Sequence, residues 1–409
     1  MPQSPMKPGP VVCGLDVGKR FHHAHAIGPD GAVLLSRRVD NAEEDLRALY
    51  GELAAHGPLQ VVVDQPHGIG ALALAVAAAC GARTAYIPPS AMRDFARLLP
   101  GAAKTDRIDA RAIALAAAAL PAAIRPVAAM GEDEADLKVY LSLRADLVAD
   151  KVRLIGRIRA LLTDAHPALE AAIGPRLSSP AMAGLLAELP GPGPLAQAGP
   201  GQVARVLKEH RGRRWTQWAR EIAQALDSQS LAMPAARAIE AALRAHARSL
   251  QALLVQIAQA DKEIAAIVAA HPMTPIVSSI PGFGATTTAI VIAELAGRAF
   301  ASAGHLASWA GVAPADRQSG TSIRSQGRNR HANRRLRNAF HHAAFTATRP
   351  GQPFRDRFEH LKSQGKHHNK ALGAISNTLA RILYALLRDN TTFNPDHHTT
   401  TPTQHALAA

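Results

Sequence analysis

Cysteine is nearly absent. Cys13 and Cys80 are the only two in 409 residues, too few for a disulfide framework and unable alone to form a structural zinc site, which fits a reducing cytoplasm. No run of 18 or more strongly apolar residues occurs, so no membrane span is expected, and the opening MPQSPMKPGP lacks the hydrophobic core of a signal peptide. Aromatic side chains are also scarce, with 3 Trp, 4 Tyr and 9 Phe. That scarcity argues against an extended stacking platform for nucleic-acid bases. Acidic charge is the rarer sign, 32 Asp and Glu against 46 Lys and Arg, and the formal charge of +14 favours a polyanionic partner, nucleic acid before an anionic membrane surface. What is abundant is apolar material: 47% hydrophobic residues over this length supply two or three packed cores and exclude a peptide or a wholly disordered chain.

The charge is unevenly placed. Residues 1–150 hold 15 basic and 17 acidic side chains, residues 151–310 hold 16 and 10, and residues 311–390 hold 15 and 4. Such a division suits one region that holds cations through carboxylates and another that holds phosphates. The plainer reading is a basic surface that only keeps the chain in solution.

From Val11 the segments VVCGLDVGK, HHAHAIG and VLLSRRV read as three short strands of a meander. Asn41 is placed to cap a helix over EEDLRALYGEL. A strand at LQVVVDQ, an Ala-rich helix from about Gly70 to Cys80 and a strand at RTAYIPP follow, which indicates an α/β sheet covered by helices. Beyond Asp136 the period changes. Tyr140, Leu147, Leu154 and Leu161 recur every seven residues with Leu143 and Ile158 between them, and Leu243, Leu250, Ile257 and Ile264 do so with Leu254 and Ile267. These are either coiled-coil seams interrupted by Lys151 and Asp261 or two long helices of an ordinary bundle. Between them PGPGPLAQAGPGQ, residues 190–202, reads as a linker or turn region. A third region starts near His271, where SIPGFGATTTAIVIAEL sets a Pro-Gly-x-Gly turn before a helix whose first amides could face a phosphate. Residues 311–338 form a Gly/Ser/Arg-rich loop leading into a basic helix, ALGAISNTLARILYALL is a final helix, and the Thr-, His- and Pro-rich tail at 391–409 is expected to be disordered.

Four carboxylates stand out. Asp16 follows an apolar strand, Asp64 ends VVVD, and Asp106 and Asp109 in KTDRIDARAIA are three apart at a helix start and so share a face. Taken singly each is more simply a turn former or a helix N-terminal acid. Converging, they offer the hard oxygen ligands that suit Mg²⁺ or Mn²⁺, and two such ions can serve phosphoryl transfer. The series GLDVGK, VVVDQPHG, KTDRIDARAIA, IPGFG and WAGVAPADRQSGTSIRSQGRNRHANRRLR, in this order from about residue 11 to 388, resembles the DEDD-type transposases of the insertion sequence 110 family.

The resemblance implies an α/β RNase H/RuvC-like N-terminal domain (11–135), a helical coiled-coil middle region (136–270) and a mostly α-helical C-terminal transposase domain (271–390). It puts Asp16, Asp64, Asp106 and Asp109 at the metal positions, although the family commonly carries Glu where this chain has Asp64, a side chain one methylene shorter. It places the nucleophilic serine in the QSG segment at Ser319, with Ser322 and Ser325 as alternative registers. That serine would attack a DNA strand to give a phosphoserine link, assisted by metal across a composite site, and a structured element-encoded bridge RNA would pair with donor and target DNA. Lys104, Arg317, Arg324, Arg328, Arg330, Arg334, Arg335 and Arg337 read as phosphate contacts. The coiled-coil seams suggest a homodimer or tetramer. The histidine pairs are read as surface or phosphate-proximal groups rather than zinc ligands, and Trp215 and Trp218 as core or partner contacts. Two rivals differ in class: a sugar-kinase or actin-like ATPase, for which no second phosphate loop is found, and a non-catalytic nucleic-acid binder or inactive element protein.

Overall fold

The computed structural model describes residues 9–66, 68–98, 105–121, 124–127, 131–231, 233–319, 323–327 and 332–398. Two compact units divide the chain, residues 1–130 and 131–409.

The first unit contains β1 (Val11–Asp16), β2 (Phe21–Ile27), β3 (Val33–Asp40), α1 (Glu43–Ala54), β4 (Leu59–Val63), α2 (Ala71–Ala79), β5 (Arg83–Tyr86), α3 (Pro89–Ala96), α4 (Asp106–Ala119) and β6 (Arg125–Pro126). The strands form one sheet in the order β3-β2-β1-β4-β5-β6. β1, β4 and β5 run parallel, while β2, β3 and β6 are antiparallel to their neighbours. Alternation along β1 sorts the two layers: Val11, Cys13 and Leu15 face a core with Leu46, Leu49, Tyr50 and Leu53 of α1 and with α2, while Val12 packs with Ile113 of α4 on the other face. Asn41 does not cap α1. Ala42 holds the N-cap position with no side-chain bond. The Asn41 side chain instead meets His22 Nε2 at 3.1 Å and donates to the Lys19 carbonyl, while His22 Nδ1 accepts from the Gly18 amide. His22 is therefore a buried brace of the β1–β2 turn, not a surface group.

The second unit holds α5 (Glu132–Ala165), α6 (Pro167–Ile173), α7 (Pro180–Glu188), α8 (Pro192–Glu209), α9 (Trp215–Asp227), α10 (Ala236–Ala270), α11 (Thr274–Ser279), α12 (Ala285–Leu295), α13 (Ala303–Trp309), the hairpin β7 (Ala315–Ser319) and β8 (Ile323–Gly327), α14 (Arg334–Ala347), α15 (Arg355–Ser363), α16 (His368–Asp389) and α17 (Pro395–His398). α5 and α10 pack against each other in opposite directions: Leu137 and Leu141 meet Ile264 and Val268 at one end, and Leu154, Ile158 and Leu162 share a core with Leu243, Ala247 and Leu250 at the other. On α10 the expected heptad positions Leu243, Leu250, Ile257 and Ile264 are all buried. On α5 the expected frame holds only in part. Leu154 and Ile158 are buried as expected, but Leu137, Leu141 and Leu162 face inward from outside the expected positions, and Leu143, expected in the seam, is 47% exposed. Asp261, an apparent interruption, forms an ion pair with Arg144 of the facing helix. The seam thus finds a partner within the chain.

Two further expectations change. Of the stretch 190–202, residues 192–202 are helical, because Pro192 sits in the first turn, where it lacks no needed donor, and Gly199, at φ 68°, kinks α8. The expected boundary at 270 falls inside a continuous unit, since α5, α10 and α12 share one core through Leu137, Ile264 and Ile292. Of the tail, Phe393 donates its amide to Ser279 Oγ at 2.9 Å and packs beside Phe354, which ties the chain at 393 to the C-terminal core, and 399–409 lie outside the described residues. Trp215 and Trp218 pack against the helical core, as read from their spacing. Among the described residues, no helix is long and apolar enough to cross a membrane.

The displaced seam is directly testable. Ile158→Ala should destabilise the helical unit by about 2–5 kcal/mol in urea unfolding, and Leu143→Ala by less than about 0.5 kcal/mol; equal effects would place Leu143 back in the seam.

Candidate active site

Parallel pairing of β1 with β4 sets Leu15 beside Val63, so Asp16 and Asp64, the next residue of each strand, leave the sheet as neighbours at its C-terminal edge. Both belong to the face covered by α4. Gly14, two residues before Asp16, lies under that helix, and Val62, two residues before Asp64, packs with Ile113. The contact at Gly14 is close: a Cβ there would stand 2.5 Å from the Ala110 carbonyl oxygen and the Ala114 amide nitrogen. A glycine inside a strand marks such an approach, and this one lets the N-terminal half of α4 lie flat on β1.

Thr105 caps α4, its hydroxyl accepting from the Ile108 amide at 3.3 Å, which puts Asp106 and Asp109 in the first turn. Asp109 is near enough to Asp64 to raise its pKa, and Asp106 lies beside His23, the cross-strand partner of Asp16. All four expected aspartates are therefore gathered at one end of one face. They do not close into a finished cage: among the described residues, no three His, Cys, Asp or Glu side chains stand close enough together to hold a metal ion.

Asp64 carries the strain of the arrangement. Its carboxylate accepts from the backbone amides of Val17 and Gln65, yet Oδ1 is buried without a hydrogen-bond partner among the described residues. Burial pushes its carboxyl above the ordinary carboxylate range, the amides pull it back, and Asp109 adds to the rise. An orphaned buried oxygen beside a second carboxylate is a donor set suited to a divalent cation, which would satisfy the oxygen and relieve the repulsion.

In the second unit Ser319 occupies the last paired position of β7, opposite Ile323 of β8, at the mouth of the hairpin turn. Arg317 lies opposite Ser325, and Arg324 opposite Gln318. Within the segment that reads in the sequence as a loop, residues 315–319 and 323–327 thus form a two-stranded ribbon. Ser322, Lys104, Arg328 and Arg330 lie outside the described residues. The helix after the ribbon is firmly tied. Asn333 caps α14 by accepting from the Leu336 amide at 2.9 Å, its own amide nitrogen donates to Glu294 at 2.5 Å, and its backbone amide donates to the Trp309 carbonyl. Arg335 reaches Glu294 at 3.9 Å and Ser142 at 3.4 Å, while Arg334 is exposed and Arg337 half-buried. Glu294 escaped the sequence reading, since a lone acid in the apolar run AIVIAEL gives no sign of a partner 39 residues away; a strand glycine in GLDVG was the available signal for the α4 contact.

Residues 13–167 match a transposase family model of the DEDD IS110 type, and residues 274–359 match a model described as Transposase IS116/IS110/IS902 family. The insertion element IS110 uncharacterized 43.6 kDa protein of Streptomyces coelicolor is 38% identical over 383 residues, 93% of this chain and 95% of that protein. The chain belongs to the IS110 family of transposases. As a member it is a DNA transposase or recombinase. The insertion element IS900 uncharacterized 42 kDa protein of Mycobacterium paratuberculosis is 32% identical over 94% of this chain and 98% of that one. The pilin gene-inverting protein of Moraxella bovis is 31% identical over 149 residues, 35% of this chain and 46% of that protein. T. thermophilus RuvC in complex with a Holliday junction substrate matches at 16% identity over 29% of this chain and 100% of that chain, with TM-score 0.24, a likeness too slight to bear on the fold.

Two outcomes follow for this IS110-family transposase. Gly14→Ala should cost about 1–3 kcal/mol by forcing α4 off the sheet, read as a fall in thermal midpoint; an unchanged midpoint would refute the contact. For Asp64, a raised folded pKa means that the folded state holds its proton more tightly, so stability falls as pH rises from the ordinary value of 3.8 through the raised one. In metal-free buffer Asp64→Asn should melt above wild type at neutral pH and lose that advantage towards pH 3.8, and a Mn²⁺ titration should raise the wild-type midpoint more than that of Asp64→Asn. A pH-independent difference would contradict this account.

Proposed function

We propose that this transposase cuts and exchanges DNA strands through a phosphoserine link at Ser319, uses Mg²⁺ or Mn²⁺ held by Asp16, Asp64, Asp106 and Asp109, and takes its target from a structured bridge RNA. The observation that supports the reading is that Asp16 and Asp64 at the strand ends lie at the same end of one face as the first turn of α4 with Asp106 and Asp109, one buried Asp64 oxygen having no partner among the described residues. A divalent cation bound there supplies Lewis-acid stabilisation of charge on a scissile phosphate. The Ser319 hydroxyl attacks the phosphorus; a bond from phosphorus to the serine oxygen forms as the bond to one deoxyribose oxygen breaks. The serine proton passes to a base or water, and the departing oxygen leaves as a sugar hydroxyl after taking a proton. Reversal of the step by a hydroxyl from a second strand gives exchange without an external energy source.

Arginines 317 and 324 of the ribbon, and 334 at the start of α14, supply positive charge for non-bridging phosphate oxygens. Glu294, through Asn333 and Arg335, holds the helix that follows the ribbon, and so acts as a positioning residue. Recognition by base pairing is in keeping with the few aromatic side chains and the net positive charge. Exchange between two duplexes requires four strand cuts, which fits a dimer or tetramer. Two unpaired cysteines, Cys13 and Cys80, fit work in the cytoplasm.

The reaction should leave a denaturant-resistant protein–DNA adduct that phosphopeptide mapping assigns to Ser319. Ser319→Ala should abolish the adduct, Asp106→Ala should reduce it by about 10³-fold or more, and chelation should do the same. A full yield from Ser319→Ala would move the nucleophile to Ser322 or Ser325, and no adduct from wild type with its flanking RNA would overturn the reading.

A further inference from the structure

Beside the acidic end of the sheet, the same face changes sign. Cross-strand partners share a face, so His25, opposite Gly14, and His23, opposite Asp16, both look towards α4. On the next strand the register sets Arg38 opposite His23 and Ser36 opposite His25, and His23 Nε2 lies 3.4 Å from the Ser36 hydroxyl. From above, α4 brings Arg107 and Arg111, which are four residues apart and therefore neighbours on one side of the helix. Arg107 acts electrostatically on both histidines, and Arg111 on His25. Arg38, Arg107 and Arg111 are all exposed, and Arg38 lies over the Phe21 ring at 3.5 Å.

Few acids answer this charge. Arg38 is ion-paired to Asp40 at 3.6 Å, with both side chains well exposed, and Asp106 stands beside His23. Among the described residues Arg107 and Arg111 enter no salt bridge. Beneath them His25 is 5% exposed, and neither of its ring nitrogens has a hydrogen-bond partner among the described residues. Burial first, and then the neighbouring Arg111, His23 and Arg107, lower its pKa, so it stays neutral with a donor and an acceptor both unused. Two guanidinium groups in no salt bridge among the described residues, set beside an imidazole without a partner there, make a surface that favours an anion with several oxygens.

We propose that Arg38, Arg107 and Arg111, on the β2–β3 flank of α4, form a track for a nucleic-acid backbone whose phosphodiesters run on towards the four aspartates. The track deepens the strand-transfer reading and rests on it for what happens at the carboxylates, while the binding it describes can be measured apart from any chemistry. The ligand chemistry is a run of phosphodiesters, which a DNA strand or an RNA strand could each supply. It also places a phosphate site within the unit of nearly balanced charge, residues 1–130, rather than in the strongly basic stretch 311–390.

Fluorescence anisotropy of the full chain with a labelled DNA strand, an RNA strand of the same sequence and the corresponding duplex, each over a salt series, tests this. Removing two phosphate contacts should lower the slope of log affinity against log salt by about 1.4 for a single strand or about 1.8 for a duplex. Arg107→Ala with Arg111→Ala should show that fall on the nucleic acid the track holds, Arg38→Ala should lower the slope by about 0.7 on a single strand, and Arg107→Lys with Arg111→Lys should restore it. The form of nucleic acid that shows the largest fall identifies the source. Removing the same charge elsewhere, by Arg205→Ala with Arg220→Ala on exposed faces of the helical unit, should leave the slope unchanged. An equal fall in that control, an unchanged slope in the Arg107/Arg111 variant, or no binding by wild type would overturn the track. Arginine-dependent binding without any covalent adduct would sink the Ser319 chemistry and leave the track standing; adduct formation with an unaltered slope would do the reverse.

Discussion

The backbone of α4 rests directly on β1, and it can do so only because position 14 carries no side chain. From that contact the rest of the carboxylate end follows. Asp16 and Asp64 are brought together by parallel strand pairing, a feature of the sheet alone, but Asp106 and Asp109 belong to a helix that starts some forty residues later. The helix must lie close and in register for its first turn to meet the strand ends. Gly14 sets the closeness, and the Thr105 cap sets where the first turn begins. The Asp64 carboxyl, partly buried and near Asp109, is the electrostatic consequence. Folding here makes the Asp64 carboxyl harder to ionise than in the unfolded chain.

The second unit meets the opposite problem, holding a strongly basic segment in a defined place. Its long helices α5 and α10 use each other as partners, with Arg144 and Asp261 pairing where the apolar seam is broken. The platform this creates extends through α12, whose Glu294 reaches out to Asn333 and Arg335. A single acid thus fixes the start of the helix that follows the serine ribbon. Apolar packing alone gives an arginine-rich segment little to hold it, because like charges along it repel.

Much of this was legible in the residues. Strand alternation in VVCGLD and FHHAHAI, the apolar run before Asp64 and the Ala-rich helices gave the first sheet, and the ordered motifs gave the family. The heptad of α10 could be read directly, because one face of it is buried along its length. That of α5 could be read only in part: Leu154 and Ile158 are buried as expected, but Leu143 has the same chemistry as Leu154, and only the facing helix decides which is covered. Asn41 looked like a cap because its local neighbours allow it, but His22, 19 residues earlier, outcompeted the helix for its side chain. The hairpin β7–β8 was hidden by composition, since Gly, Ser and Arg suit a loop as well as a ribbon. In the candidate site, the aspartates were visible by type and spacing, whereas the contributions of Gly14, Glu294, Arg107 and Arg111 depend on contacts between segments distant in sequence.

The central claim is that strand ends and the first turn of α4 make one cation site. Anomalous diffraction from crystals of the full chain grown with Mn²⁺ measures it most directly. The account predicts a peak within about 2.0–2.3 Å of carboxylate oxygens from Asp16, Asp64 and Asp109, with Asp106 adjoining. Manganese bound only elsewhere on the molecule, or an Asp64 carboxylate still buried and unpaired at saturating Mn²⁺, would contradict it.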